Sequence, residues 1–296
     1  MKIKKLLLIV FIFSLVFGEN FKIDEKNKQR EILEKNKFLS IIEKTDDKIK
    51  RLKLLKEECN KNNAFICNVL GEYYVSSDEK NLSLGEKYLK KSCDLNSEIG
   101  CYNLIFFEMH YKQKKDSELK DLALKTCNIG YRAKYAGNAC LHSGVLYLKN
   151  NETKKGLPYI KKACYLKNPK ACYILGLLYN KGDYNVKKDE NIAKNYLKRA
   201  CDLGEKRACY MELKIYLDEG QKIRHNKRMR TIIKKLCDDF NDAEICFQYA
   251  IIRMDDIFEK TKKKKVVLPK EIVHYIKKSC ILGNKKACDF LEKFSK

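Results

Sequence analysis

Tryptophan is absent from this chain of 296 residues, proline occurs three times and histidine four times. With so few prolines and only 13 glycines, an all-β sandwich or barrel lacks the turn residues it needs. The histidines stand apart at His110, His142, His225 and His274, with no H-x-H or H-x-x-x-H spacing, so a histidine-based metallohydrolase centre is excluded. No glycine-rich phosphate loop is present. Beyond the first 18 residues no apolar run approaches the roughly 20 residues that cross a bilayer. No residue pattern calls for a cofactor.

The first residues are of a different kind. Lys2, Lys4 and Lys5 precede an apolar run from Leu6 to Phe17, broken only by Ser14, and Gly18 closes it. A basic start, a short apolar run and a small residue describe a secretory signal peptide over residues 1–18. No cysteine follows the run, which argues against a lipid anchor there. The expectation is a periplasmic or secreted chain that is not transmembrane once the signal is removed. The net charge of +24 suits acidic partners, or simply reflects lysines coating helix surfaces. Export argues against a nucleic-acid partner.

Fourteen cysteines are present, and they fall into close pairs: Cys59 with Cys67, Cys93 with Cys101, Cys127 with Cys140, Cys164 with Cys172, Cys201 with Cys209, Cys237 with Cys246, and Cys280 with Cys288. Successive pairs start 34, 34, 37, 37, 36 and 43 residues apart, an interval that marks an array of helical repeats. Zinc ligands usually stand closer together than these pairs do, whereas disulfides persist in an exported chain. Sequence alone permits many connectivities. The local pairing is preferred because one geometry then recurs at every repeat.

That geometry follows from helical periodicity. Between Lys170 and Cys209, one apolar face holds Ala171, Cys172, Leu175, Leu178 and Tyr179, and a second holds Ala193, Tyr196, Leu197, Ala200, Cys201 and Leu203. Each is the face of an amphipathic helix. Gly182 and Asp183 mark the turn between the two, and Gly204 ends the second. Cys201 then lies in the last turn of one helix and Cys209 in the first turns of the next. Each disulfide would staple the second helix of one repeat to the first helix of the following one. The chain reads as a signal (1–18), a polar, extended or partly helical lead (19–42), and a repeat array (43–296) of about six helix pairs with capping helices.

The residues Ala171, Leu175, Gly176, Tyr179, Gly182, Val186, Asp189, Ala193, Tyr196 and Ala200 resemble the Sel-1-like repeat, a relative of the tetratricopeptide repeat. With the paired cysteines added, the chain is similar to the cysteine-rich subgroup typified by the Helicobacter cysteine-rich proteins. The resemblance implies an all-α, α/α superhelical solenoid; such arrays present a long concave face, on which an unknown protein, peptide or cell-wall fragment is expected, and the chain is expected to be a monomer. It weakens from Phe106 to Lys125 and from Arg253 to Pro269, where distorted repeats are expected. It also brings an enzyme reading, since members of the subgroup have been described as binding and slowly hydrolysing β-lactams.

No catalytic set supports that reading from the residues. Ser77 with Lys80 and Ser117 with Lys120 match Ser-x-x-Lys, but Ser-Asp-Asn and Lys-Thr-Gly companions are missing. His142 lies close to Cys140 in sequence and reads as a helix-surface histidine. The tyrosines Tyr73, Tyr147, Tyr179, Tyr196 and Tyr216 read as interlocking packing rather than a stacking groove. The Lys262–Lys265 run reads as a solvated loop and the stretch Arg224–Arg230 as an exposed helix start. Asn81-Leu82-Ser83 is a glycosylation sequon with Glu79 two positions upstream, the extended form used by bacterial N-glycosylation systems, and Asn81 is expected to be exposed between helices. Asn151-Glu152-Thr153 is a plain sequon.

Overall fold

The computed structural model describes residues 25–78, 80–261 and 268–294. The signal-peptide expectation, Glu79 and the Lys262–Lys265 run lie outside them. Among the described residues there are fifteen α-helices and no strand. Helices α1 (Glu25–Lys44) and α2 (Lys48–Asn60) lead in. Helix pairs follow: α3 (Ala64–Ser76) with α4 (Leu82–Asp94), α5 (Glu98–Tyr111) with α6 (Lys120–Ile129), and α7 (Asn138–Lys149) with α8 (Thr153–Tyr165). Next come α9 (Pro169–Lys181) with α10 (Glu190–Asp202), α11 (Lys206–Asp218) with α12 (Lys227–Asp238), and α13 (Ala243–Thr261) with α14 (Lys270–Ile281). Helix α15 (Lys285–Phe294) is last. The fold is of the α/α repeat-solenoid class, stapled by disulfides. It divides into two compact units, with the boundary between Ala171 and Cys172 inside α9.

Within a repeat, the first helix offers bare backbone to an aliphatic side chain of the second. A Cβ on Gly71 would stand 2.7 Å from Leu89 Cγ, and one on Gly176 would stand 2.6 Å from Leu197 Cγ. Leu89 and Leu197 are fully buried against these glycines. Tyrosines then stack beside the contact: Tyr74 on Tyr88, Tyr147 on Tyr159 and Tyr179 on Tyr196, each pair with ring centroids 5.8 Å apart. Tyr147, Tyr179 and Tyr196 are thus repeat packing, and in the first repeat Tyr74 rather than Tyr73 makes the stack.

Five of the seven junctions use one local device. The residue three after the second-helix cysteine turns into the left-handed region: Asn62 at φ 66°, Asn96 at 58°, Lys167 at 66°, Gly204 at 97° and Gly283 at 96°. Its amide donates to the cysteine carbonyl, as Asn96 N does to Cys93 O at 2.9 Å. The next amide reaches one residue further back, as Ser97 N does to Ser92 O at 3.1 Å. This wraps the last carbonyls of the helix. That next residue also starts the following helix: the side chains of Asn63, Ser97, Asn168 and Asn284 accept from the amides of Ile66, Gly100, Ala171 and Ala287. A helix end, a left-handed turn, a cap and one helical turn consume the seven residues between most paired cysteines.

Two regions show what periodicity alone does not. The lead segment contains a twenty-residue helix, α1, whose Ile41 is buried. Phe38 meets Phe65 edge-on at 5.7 Å. The Glu34 carboxylate accepts from Phe65 N at 2.9 Å, and Arg30 donates to Asn96 O at 3.0 Å. Much of the docking face is therefore polar, and hydrophobic periodicity does not reveal it. Helix α13 continues to Thr261, well past Arg253, into the stretch where a distorted repeat was expected. The weak stretch from Phe106 to Lys125 is distorted as expected, with a 3₁₀ turn at Asp116–Leu119 before a ten-residue α6.

Candidate interaction surface

The paired cysteines face one another across the junctions. Cys59–Cys67, Cys93–Cys101, Cys127–Cys140, Cys201–Cys209, Cys237–Cys246 and Cys280–Cys288 are bonded, with Cα–Cα distances of 4.9, 4.3, 4.7, 4.7, 4.7 and 4.8 Å. Cys164 and Cys172 are also disulfide-bonded. No free thiol is left, so none of these cysteines is a nucleophile or a ligand in this state.

The long Cys127–Cys140 junction is held by a carboxylate from the preceding repeat. Glu98, 4% exposed, accepts from Arg132 N at 2.8 Å and Ala136 N at 3.0 Å. These bonds pin the π-turn Ala133–Gly137 that absorbs the extra residues. Burial raises the Glu98 pKa, and the two amides and the Arg132 guanidinium, 3.4 Å away, pull it back. Glu31 of α1 pairs with Arg132 and accepts from the Tyr131 hydroxyl at 3.1 Å. Burial pushes Tyr131 up to about 12. Helix α1 thus touches three successive junctions through Glu34, Arg30 and Glu31, and a small polar cleft lined by Arg30, Glu31, Asn96, Glu98 and Tyr131 remains between them.

A second buried acid stands in the other unit. Glu212 is fully buried at a position where other repeats carry Leu70, Leu104 and Leu175. Arg228 of α12 grips it in a fork, Nε to Oε1 at 2.7 Å and Nη2 to Oε2 at 2.6 Å, and reaches Asp202 at 2.8 Å. Burial raises the Glu212 pKa and Arg228 opposes it. Arg230 pairs with Asp256 at 3.2 Å. The basic stretch expected as an exposed helix start therefore gives Arg228 to a buried ion pair and Arg230 to a partly exposed one.

The lysine two residues before the second-helix cysteine has its own task. Lys162 Nζ donates to Cys127 O at 2.7 Å, and Lys278 Nζ donates to Cys237 O at 2.9 Å. Each reaches the C-terminal end of the preceding second helix, where a cation meets unpaired carbonyls and the negative end of the helix dipole. Burial lowers the Lys162 pKa.

The hydrolase candidates are not assembled into a site. Lys80 lies over the Tyr111 ring at 5.0 Å and Lys120 over the Tyr147 ring at 4.1 Å. Ser77 caps the end of α3, and Ser117 lies in the 3₁₀ turn before α6. His142 is half-buried on α7. Among the described residues no group of three or more His, Cys, Asp or Glu is placed to hold a metal ion. No described helix is long and apolar enough to cross a membrane. Asn81 is exposed and caps α4, its Oδ1 accepting from Leu84 N at 3.0 Å.

Exposed apolar surface gathers on α5. Phe106 is 56% exposed and Met109 44%. Phe106 stacks on His110 with centroids 5.3 Å apart, and Tyr102 meets Tyr135 edge-on at 5.2 Å. Asn103 on the same helix donates to Asn68 Oδ1 at 2.9 Å and to the Glu72 carboxylate. A sequence reading that takes aromatics as packing misses this stripe. The clue is that Phe106, Met109 and His110 follow Leu104-Ile105, where other repeats carry Leu-Gly.

Comparison with known proteins bears on the fold. The Sel1 repeat model matches residues 67–97 and 169–205. No curated protein matches the chain. A Sel1 repeat protein from Oxalobacter formigenes superposes with a TM-score of 0.59 at 17% identity, covering 84% of this chain and 71% of that one. A protective antigen of uropathogenic Escherichia coli with an SLR fold superposes with a TM-score of 0.56 at 18% identity, covering 83% of this chain. The chain spans about half, 52%, of that antigen's length. Helicobacter pylori cysteine rich protein B is 27% identical over 46% of this chain and 98% of its own, with a TM-score of 0.33.

Proposed function

Because the chain is a Sel1-like repeat protein, we propose that it is a binding scaffold working outside the reducing cytosol, in the periplasm or beyond the cell. Sel1-type arrays present the faces of successive helices to partners, and the aromatic stripe on α5 is the observation that carries the reading for this chain. A monomeric soluble protein gains nothing from leaving Phe106 and Met109 in water, and contiguous apolar surface of this kind marks a contact site. The occupant is a protein, a peptide or a cell-envelope fragment, large enough to cover Tyr102, Phe106 and His110 together. Disulfide bonding of all fourteen cysteines suits an oxidising compartment, and the apolar segment from Leu6 to Phe17 supplies the export signal. The exposed Asn81 in its extended sequon is an acceptor for a glycan in that compartment.

The test is a photo-crosslinking amino acid placed at Phe106 in cells that express the protein, with a second placement at exposed Lys187 as control. A discrete adduct at position 106, lost when Met109→Asp and His110→Ala are added, supports the scaffold. No adduct at position 106, combined with nitrocefin turnover that follows the oxidised protein through purification, overturns it in favour of β-lactam hydrolysis.

A further inference from the structure

The last junction departs from the pattern of its own array. The residue directly after the second-helix cysteine is exposed in every repeat, and it is Asp94, Asn128, Tyr165, Asp202 and Asp238 in the first five. Those acids are used locally: Lys125 reaches Asp94 at 3.7 Å, Arg228 holds Asp202, and Lys234 holds Asp238 at 2.9 Å. In the sixth repeat the residue is Ile281, 84% exposed, followed by Leu282 at 38%. A further repeat would not cover Ile281, since its counterparts stay exposed where a repeat does follow. The repeat geometry does not require an aliphatic side chain there.

The surroundings of Ile281 are basic. Lys277 stands one helical turn before it, and Lys285 and Lys286 open α15 just after it; all three are exposed. Lys278 is committed to Cys237 O, so it is not part of this ring. Asn284 is held by Glu244 at 2.8 Å, and the acids of α15, Asp289 and Glu292, follow a turn later. The backbone that presents the two aliphatic side chains is rigid. Leu282 N donates to Lys278 O at 3.0 Å, Gly283 N to Cys280 O at 2.9 Å and Asn284 N to Ser279 O at 3.0 Å.

We propose that the Ile281–Leu282 knob, ringed by Lys277, Lys285 and Lys286, is a peripheral docking point for an anionic lipid surface. Lysines draw the knob to negatively charged head groups, and the aliphatic pair enters the boundary between head groups and acyl chains. Neither signal suffices alone, and together they give reversible attachment. This does not depend on the occupant of the α5 stripe.

The absence of tryptophan makes the test direct. Ile281→Trp places a single indole in the oxidised full-length protein, and Asn128→Trp places one at the equivalent site of another junction. Vesicles rich in phosphatidylglycerol should shift the emission of Ile281→Trp to the blue and leave Asn128→Trp unchanged, while phosphatidylcholine vesicles shift neither. Ile281→Asp restores the residue type found at three other junctions, so it should fold normally and sediment with anionic vesicles roughly tenfold less than the parent. Lys277→Glu with Lys285→Glu and Lys286→Glu should abolish binding, whereas the same charge change at Lys181, Lys187 and Lys188 should not. Equal blue shifts at both sites, or undiminished sedimentation of Ile281→Asp, would show diffuse attraction by the whole cationic surface and overturn the proposal. Binding to heparin but not to vesicles would overturn it in favour of an anionic polymer.

Discussion

Replacing Arg228 by methionine removes the fork that holds Glu212 while keeping an unbranched side chain in the space. Glu212 is fully buried and both of its oxygens are bonded to Arg228. The variant therefore keeps an unpaired carboxylate in the interior of the second unit, a change that costs about 3–5 kcal/mol. The lost contact to Asp202 adds little, because that side chain is 49% exposed. Glu212→Leu combined with Arg228→Met installs the residue that Leu175 represents in the preceding repeat, and it should lie within about 1 kcal/mol of the parent or above it. Protonation is the single variant's relief. A carboxyl whose pKa is higher folded than unfolded favours the folded state at low pH, and that advantage disappears as pH rises past the unfolded value of about 4.3. The gap between Arg228→Met and the parent should thus be widest near pH 7 and shrink towards about pH 4.5. Urea midpoints of the oxidised proteins at both pH values, with amide exchange of α11 and α12 as the local readout, measure this. If the single and double variants are equally destabilised, or the gap is the same at both pH values, Arg228 acts as packing and not as a counter-ion.

Reduction should lower helix content and melting temperature sharply, since each short disulfide loop contributes about 2–3 kcal/mol; circular dichroism with and without reductant reads this, and an unchanged melt would sink the stapling argument. Gly176→Ala drives a methyl group into Leu197, which is fully buried, and should cost about 1–3 kcal/mol, whereas Gly220→Ala, with open space around it, should lose only what its left-handed backbone demands. Asn81→Ala removes the cap of α4 and should cost about 1 kcal/mol; Asn81→Asp should keep most of that while removing the glycan acceptor, so a mass shift between protein from the native cell and the Asp variant reports the modification separately from stability.

The repeat was legible because the fourteen cysteines fall in close pairs at a regular spacing, and the helix pairs were legible because small and aliphatic residues line one face of each. What sequence conceals here is polar and local. Of the left-handed turn residues, Asn62 and Asn96 carry a weaker signal than Gly204 and Gly283, and Lys167 carries none. Glu212 and Arg228 read as surface charge on two helices, and only their separation in space makes them an internal pair. Helix α1 reads as a polar lead because carboxylates and an arginine, rather than a full apolar stripe, fasten it. The extra residues of the Cys127–Cys140 junction read as a loop, although Glu98, far upstream, holds their amides. The exposed aromatics of α5 carry no signal in the sequence, because residue type alone cannot say which side of a helix has a neighbour.

The order of the disulfides along the chain has a consequence for biogenesis. In each of the six bonds whose geometry is described, a cysteine is joined to the next cysteine in sequence, at separations of 8, 9 or 13 residues. A polypeptide threaded through a pore N-terminus first therefore meets an oxidant with the correct partner always the next thiol to emerge. Rapid, indiscriminate oxidation then yields the native set, whereas a framework of nested bonds would trap the chain in shuffled isomers that must be unpicked over minutes or hours. On the proposed export route, maturation should need an oxidase and little or no isomerase, and a block of translocation between two cysteine pairs should leave a fully paired N-terminal fragment behind it.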